Sequence, residues 1–176
     1  MPAADRRRTS PRLGKEPPIA TAHDAANDPR VLIFGRLLGA ANGLEYVLGR
    51  AIEEEVGITH ATFEVLLLLA RAGDEGLALR DIARARVLTS GGVTRLVKRL
   101  EQQGLVIRET SEADKRVQLL RLTPSGERTV VAAARLHVEN VQRHFLDLVP
   151  MDQREALAAT LRTLSVAAQG ALPPLP

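Results

Sequence analysis

Between two apolar runs the chain carries ETSEADKRVQLLRLT, residues 109–123, with Asp114, Lys115 and Arg116 side by side at its centre. On an extended strand residues i and i+2 project to the same side, so the Asp114 carboxylate is expected to brace the Arg116 guanidinium. A braced arginine at a protruding tip suits the narrow, negatively charged minor groove of DNA, because it loses less side-chain freedom on entering. Taken alone, the same two residues are equally an ordinary surface ion pair worth ~0–1 kcal/mol. A second set of groups lies upstream, in TSGGVTRLVKRL at 89–100. Thr89, Ser90, Gly91 and Thr94 are small or hydroxylated, whereas Arg95, Lys98 and Arg99 are cationic. Small residues at a helix start let the backbone approach a groove, and the amides there favour phosphate. An arginine further along can donate two hydrogen bonds to a guanine edge. By itself this helix also fits a solvated amphipathic surface.

Both sets need elements to hold them. In LALRDIARAR, 77–86, Leu79, Ile82 and Ala83 form one helical face, and Arg80, Arg84 and Arg86 another. The next helix has Thr89 or Ser90 as its N-cap, Val93, Leu96, Val97 and Leu100 as a buried stripe, and Gly104 as its stop. Two short helices joined by a tight turn make a helix-turn-helix. LVIRET (105–110) and RVQLLRL (116–122) then read as a hairpin around the tip SEAD. Upstream, Thr59 caps a core helix that ends at Gly73, preceded by a long helix over 30–56. Gly35, Gly39, Gly43 and Gly49 weaken that long helix by roughly 1 kcal/mol each, and close approach of another helix is the simplest use for them. Two further helices, 125–148 and 152–168, flank Pro150 and carry wide apolar stripes that need a partner. Residues 1–29 hold five of the ten prolines and the cluster RRR at 6–8, and read as a disordered basic arm.

The expected architecture is therefore mainly α with a small β-hairpin wing. Residues 57–124 form a winged helix-turn-helix, and 30–56 with 125–170 form a helical dimerisation region. Charge supports this division: residues 80–122 carry ten Lys and Arg against five Asp and Glu, whereas 31–79 carry three against seven. Such a basic block is suited to a polyanion. The segment 80–122 has no aromatic residue, which speaks against the base stacking used in RNA recognition. With no cysteine, disulfides and thiolate metal sites are excluded. His137 and His144 stand seven apart, a rise of ~10 Å on a helix, too far to share one metal ion, so no metal or other cofactor is expected. No phosphate loop, metal-ligand pair or serine elbow points to an enzyme. The longest uninterrupted apolar run, VLLLLA at 65–70, is too short for a membrane span, and a cytoplasmic protein is expected.

The order TSGGVTRLVKRLEQQGLV, DKRVQLLRL and LTPSGE resembles the MarR family of bacterial transcriptional regulators. Its wing-to-helix signature is met by Asp114, Arg116, Leu122, Thr123 and Gly126. The resemblance covers roughly residues 31–168 and implies a winged-helix homodimer whose helix at about 89–103 enters the major groove, with Arg116 in the minor groove. It places Ser90, Thr94, Arg95 and Arg99 where family members contact DNA. It also implies a pseudo-palindromic operator with reading helices ~10 bp apart, and a repressor released by a small molecule, often an anionic aromatic. Tyr46, Arg50, His60, Phe63 and Glu64 are the candidates for holding such an effector, although core packing or helix capping also accounts for each. The peroxide-sensing branch uses a cysteine that this chain lacks. The urate-responsive branch is similar in arginines matching Arg95 and Arg108, but uses a first-helix tryptophan and has an aspartate where this chain has Glu64. The alternative is a protein-interaction or RNA-binding winged-helix module without operator specificity.

Overall fold

A computed structural model describes residues 19–86, 90–112 and 114–171. The element order is α1 (Ala22–Asn27), α2 (Pro29–Val56), α3 (His60–Ala72), β1 (Leu77–Ala78), α4 (Leu79–Arg86), α5 (Ser90–Gln102), β2 (Val106–Thr110), β3 (Gln118–Leu122), α6 (Pro124–His144) and α7 (Arg154–Gly170). The chain forms two compact units, 1–45 and 46–176, with the boundary inside α2.

In the first unit, the end of the expected disordered arm folds into α1. The Thr21 hydroxyl accepts the Asp24 amide at 3.1 Å, and the Asp24 carboxylate accepts the Thr21 amide at 2.9 Å. This reciprocal cap satisfies two helix-end donors at once. The rest of the arm, 1–18, lies outside the described residues. Between α1 and α2, Asp28 accepts Nε and Nη2 of Arg30 at 2.9 and 2.6 Å, and that fork holds its carboxyl at about 2. Along α2, Val31, Ile33, Phe34, Leu37 and Leu38 are exposed. A Cβ added at Gly35, Gly39 or Gly43 meets nothing within 4 Å among the described residues, so the close helix approach expected there is not made within the chain. By length and composition α2 would suffice to cross a membrane, with a mean hydropathy of 1.4 over its best 18-residue window. The uninterrupted run at 65–70 hid this, because Arg36 and Glu45 break up the apolar surface of α2.

The second unit holds the core. Thr59 accepts the Thr62 amide at 3.2 Å to start α3, and Gly73, at φ 56°, ends it. Phe63, Val65, Leu66 and Leu69 of α3 are buried, as its all-round apolar sequence implies. They join Ile52 of α2, Ile82 of α4, Val93, Val97 and Leu100 of α5, and Val130 and Ala133 of α6. The sheet is antiparallel in the order β1-β3-β2. The helix expected from residue 77 begins at 79, because Leu77 and Ala78 pair with Leu120 and Leu119. Gly76, at φ 67°, turns the chain into that pairing, and a Cβ there would lie 2.8 Å from the Leu120 carbonyl oxygen. β2 and β3 pair from Val106↔Leu122 to Thr110↔Gln118. Thr123 then caps α6, which ends at His144 rather than 148, the Leu146–Leu148 segment being a 3-10 turn. A second 3-10 turn, Met151–Gln153, delays the start of α7 to Arg154. Val131, Val138, Leu148, Leu164 and Val166 remain exposed.

Candidate nucleic-acid interface

The apolar stripe of α5 points into the core and turns the opposite side of the helix to solvent. Thr94, Arg95, Lys98 and Arg99 are exposed there, whereas Val93, Val97 and Leu100 are buried. Ser90 and Gly91 lie in the first turn of α5; Thr89 lies outside the described residues. Burial of one stripe thus fixes which residues a groove would meet. Arg95, Lys98 and Arg99 have no carboxylate partner among the described residues, whereas Arg50 pairs with Glu54, Arg121 with Glu109 and Arg154 with Asp147. Unpaired cations on one face are available to phosphates or base edges without first breaking an internal bond. Arg80 and Arg84 of α4 are also exposed, and the first helix of such a pair commonly crosses the DNA backbone. Their i, i+4 spacing was the available signal.

At the wing tip the structure corrects the expected brace. The Asp114 carboxylate accepts the backbone amide of Arg116 at 2.9 Å, not its guanidinium. The reason is local: the Val117 amide donates to the Asp114 carbonyl at 2.9 Å, so Asp114 opens a four-residue turn and 114–116 is not a strand. In such a turn an aspartate side chain reaches the amide two residues on. Asp114 therefore shapes the backbone, while the exposed side chains of Lys115 and Arg116 make no bond among the described residues. Asp114→Asn should retain the turn and bind DNA as well as the parent, since the amide oxygen replaces the carboxylate oxygen. Asp114→Ala should weaken binding roughly fivefold, the value of one hydrogen bond of about 1 kcal/mol. A fluorescence-anisotropy titration of both variants on one duplex separates the two outcomes; equal losses would restore the guanidinium brace.

The effector candidates fall into two sets. Tyr46 and Arg50 stand on the exposed side of α2, and the hydrogen bond that Arg50 donates to Glu54 raises the Arg50 pKa, with smaller contributions from the Glu54 charge and Tyr46. His60, Phe63 and Glu64 lie on α3, where Phe63 is 1% exposed and belongs to the core. Their sequence-remote neighbour is His137 of α6. Its ring centroid lies 5.8 Å from that of His60 and 5.1 Å from that of Phe63. Burial, and then the His60 ring, lower the His137 pKa. Among the described residues, no three His, Asp or Glu side chains are grouped to hold a metal ion.

A helix pair with an exposed basic second helix, followed by a β2–β3 hairpin with a basic tip that β1 extends to three strands, defines a winged helix-turn-helix protein. A family model described as MarR family matches residues 56–117. The HTH-type transcriptional regulator YdgJ of Bacillus subtilis is 30% identical over 125 residues, covering 71% of this chain and 74% of that protein. The crystal structure of Sco3205, a MarR family transcriptional regulator from Streptomyces coelicolor, in complex with DNA, is similar at TM-score 0.73 and 28% identity. The match covers 92% of this chain and 99% of Sco3205. CouR from Rhodococcus jostii RHA1, bound to p-coumaroyl-CoA, is similar at TM-score 0.66 and 25% identity, over 79% of this chain and 92% of CouR. The chain belongs to the MarR family, whose members are DNA-binding regulators of transcription and not enzymes.

Proposed function

We propose that the protein is a cytoplasmic homodimer that reads a pseudo-palindromic site in double-stranded DNA and represses transcription until a small molecule releases it. The observation that carries this reading is the set of exposed cations on α5 and on the wing tip that have no carboxylate partner among the described residues, presented by one packed unit. Arg95, Lys98 and Arg99, with Ser90, Gly91 and Thr94, are assigned to the major groove, and Lys115 and Arg116 to the minor groove. A second copy accounts for the exposed apolar residues of α2, α6 and α7, and the open side of Gly35, Gly39 and Gly43 offers a place for close helix contact. Such a partner explains the apolar length of α2 without a membrane. The DNA in the Sco3205 structure and the acyl-CoA in the CouR structure support DNA and an anionic aromatic effector as ligand classes. Tyr46, Arg50, His60 and Glu64 are proposed to face that effector, with Phe63 supporting them from the core.

The test is a titration against a duplex selected by the protein from a randomised pool, beside a scrambled duplex. Neutralising six to ten phosphates should weaken selective binding roughly 10³- to 10⁵-fold between about 50 and 200 mM salt. Sedimentation should give twice the chain mass. Equal, weak binding of both duplexes would reject the reading.

A further inference from the structure

Arg108 on β2 differs from the unpaired cations. Its Nε and Nη2 donate to the two carboxylate oxygens of Glu101 at 3.1 and 3.2 Å, and the two side chains are 33% and 32% exposed. Glu101 lies in the last turn of α5, and Arg108 lies midway along β2. The pair therefore bridges the turn Gln103–Gly104–Leu105, which joins the helix to the wing. Along the same face of the hairpin, Val106 and Leu120 belong to the apolar core, and further out Gln118 Nε2 donates to the Thr110 hydroxyl at 2.9 Å. Arg108 sits where the apolar contacts give way to polar ones, the last place at which the hairpin touches α5 by a side-chain bond among the described residues. A two-bond fork restricts angle as well as distance, whereas apolar contact alone permits sliding. A second fastening lies at the base, where the Thr123 hydroxyl donates to the Gly104 carbonyl at 2.6 Å.

We propose that the Glu101–Arg108 pair is a positioning clamp that sets the reach of the wing tip relative to α5. It thereby sets the spacing between base pairs read in the major groove and the flanking minor-groove step. The inference rests on the reading of α5 and the wing as groove contacts. The lever is short: Glu109 and Thr110 of β2 and Ser111 after them span ~10 Å beyond Arg108, so a hairpin swing of about 10° moves the tip by roughly 2 Å. That displacement is comparable to the tolerance of a hydrogen bond.

The experiment uses the full-length protein and a duplex selected from a randomised pool, with the flanking step varied between A·T and G·C. Arg108→Ala, Glu101→Gln and the swap Glu101→Arg with Arg108→Glu are compared with Arg116→Ala. Each single clamp variant should lose about three- to tenfold in affinity and lose its flanking-step preference, while central base preferences and the melting temperature stay unchanged. The swap should recover both. Arg108→Lys keeps the charge without the fork and should show the same loss of flanking preference, which covers the case in which alanine unfolds the wing. A weaker Arg108→Ala with a tighter or unchanged Glu101→Gln would make Arg108 a phosphate contact and overturn the clamp, as would a swap that recovers nothing. Unchanged clamp variants beside a weakened Arg116→Ala would overturn the clamp alone. An unchanged Arg116→Ala would remove the wing reading itself.

Discussion

Arg116→Ala is expected to lower affinity for a selected duplex by about 10- to 100-fold, within the ~1–3 kcal/mol range of a specific arginine contact. Its fold and oligomeric state should be unaffected. The basis is the division of labour at the wing tip. Asp114 holds the Arg116 backbone amide, and the exposed guanidinium contributes to no bond among the described residues. Removing it costs the free protein nothing that melting could detect. Inserted between two phosphate-lined walls, the same group meets a potential that a lysine, with its compact and strongly hydrated charge, matches less well. Arg116→Lys should therefore recover only part of the loss. Electrophoretic mobility shift beside sedimentation separates a DNA effect from unfolding. Undiminished DNA binding by Arg116→Ala would favour the protein-interaction or RNA-binding alternative for the wing.

The largest stability effect is expected at Gly126. This residue lies in the first turn of α6 and is buried against the Leu105 backbone. A Cβ built there would stand 2.0 Å from the Leu105 carbonyl oxygen and 3.0 Å from its carbon. That oxygen already accepts the Thr123 amide at 3.0 Å, so it cannot retreat without breaking the link between the end of α5 and the start of α6. Gly126→Ala should destabilise the fold by about 3 kcal/mol or more, as the clash is with backbone and no rotamer relieves it. For a chain of this size that is a fall of roughly 10 °C in Tm. Gly104 is the control. It has φ 66° with nothing within 4 Å of an added Cβ, so alanine there meets only the left-handed backbone penalty of about 1–2 kcal/mol. Comparable melting of the two variants would mean that Leu105 yields easily.

Where sequence and structure agree, the cause is local. The limits of α3 and α5 were legible because Thr59, Gly73 and Gly104 act within one turn of the residues they punctuate. The stripe Val93, Val97 and Leu100 was legible because helical periodicity alone decides which side is buried. Strand β1 was hidden, since two residues carry no period and their partners, Leu119 and Leu120, lie far along the chain. The Glu101–Arg108 fork was hidden because it depends on how β2 turns back beside α5, although opposite charges flanking the Gly104 turn were a usable hint. The role of Asp114 was misread because strand geometry was extended back through 114–117, a turn that precedes β3 at Gln118. Helix α1 was overlooked within a proline-rich segment, although Thr21 and Asp24 carry the capping signature. His137 joined His60 and Phe63 only through the packing of α6 on α3, which periodicity does not specify.

The pairing of β1 with β3 has a consequence for how the protein comes into being. Helices α4 and α5 lie between two strands of one sheet, so they are enclosed by a loop that the pairing of Leu77 and Ala78 with Leu120 and Leu119 closes. On the ribosome both helices emerge before their closing strand exists, and the entropy of loop closure must be met before the pairing rewards it. A nascent chain that stops short of β3 already has α3, against which α4 and α5 pack, but lacks the strand pairing that closes the loop around them. The pairing that encloses the two helices therefore arrives late in synthesis, after both have emerged.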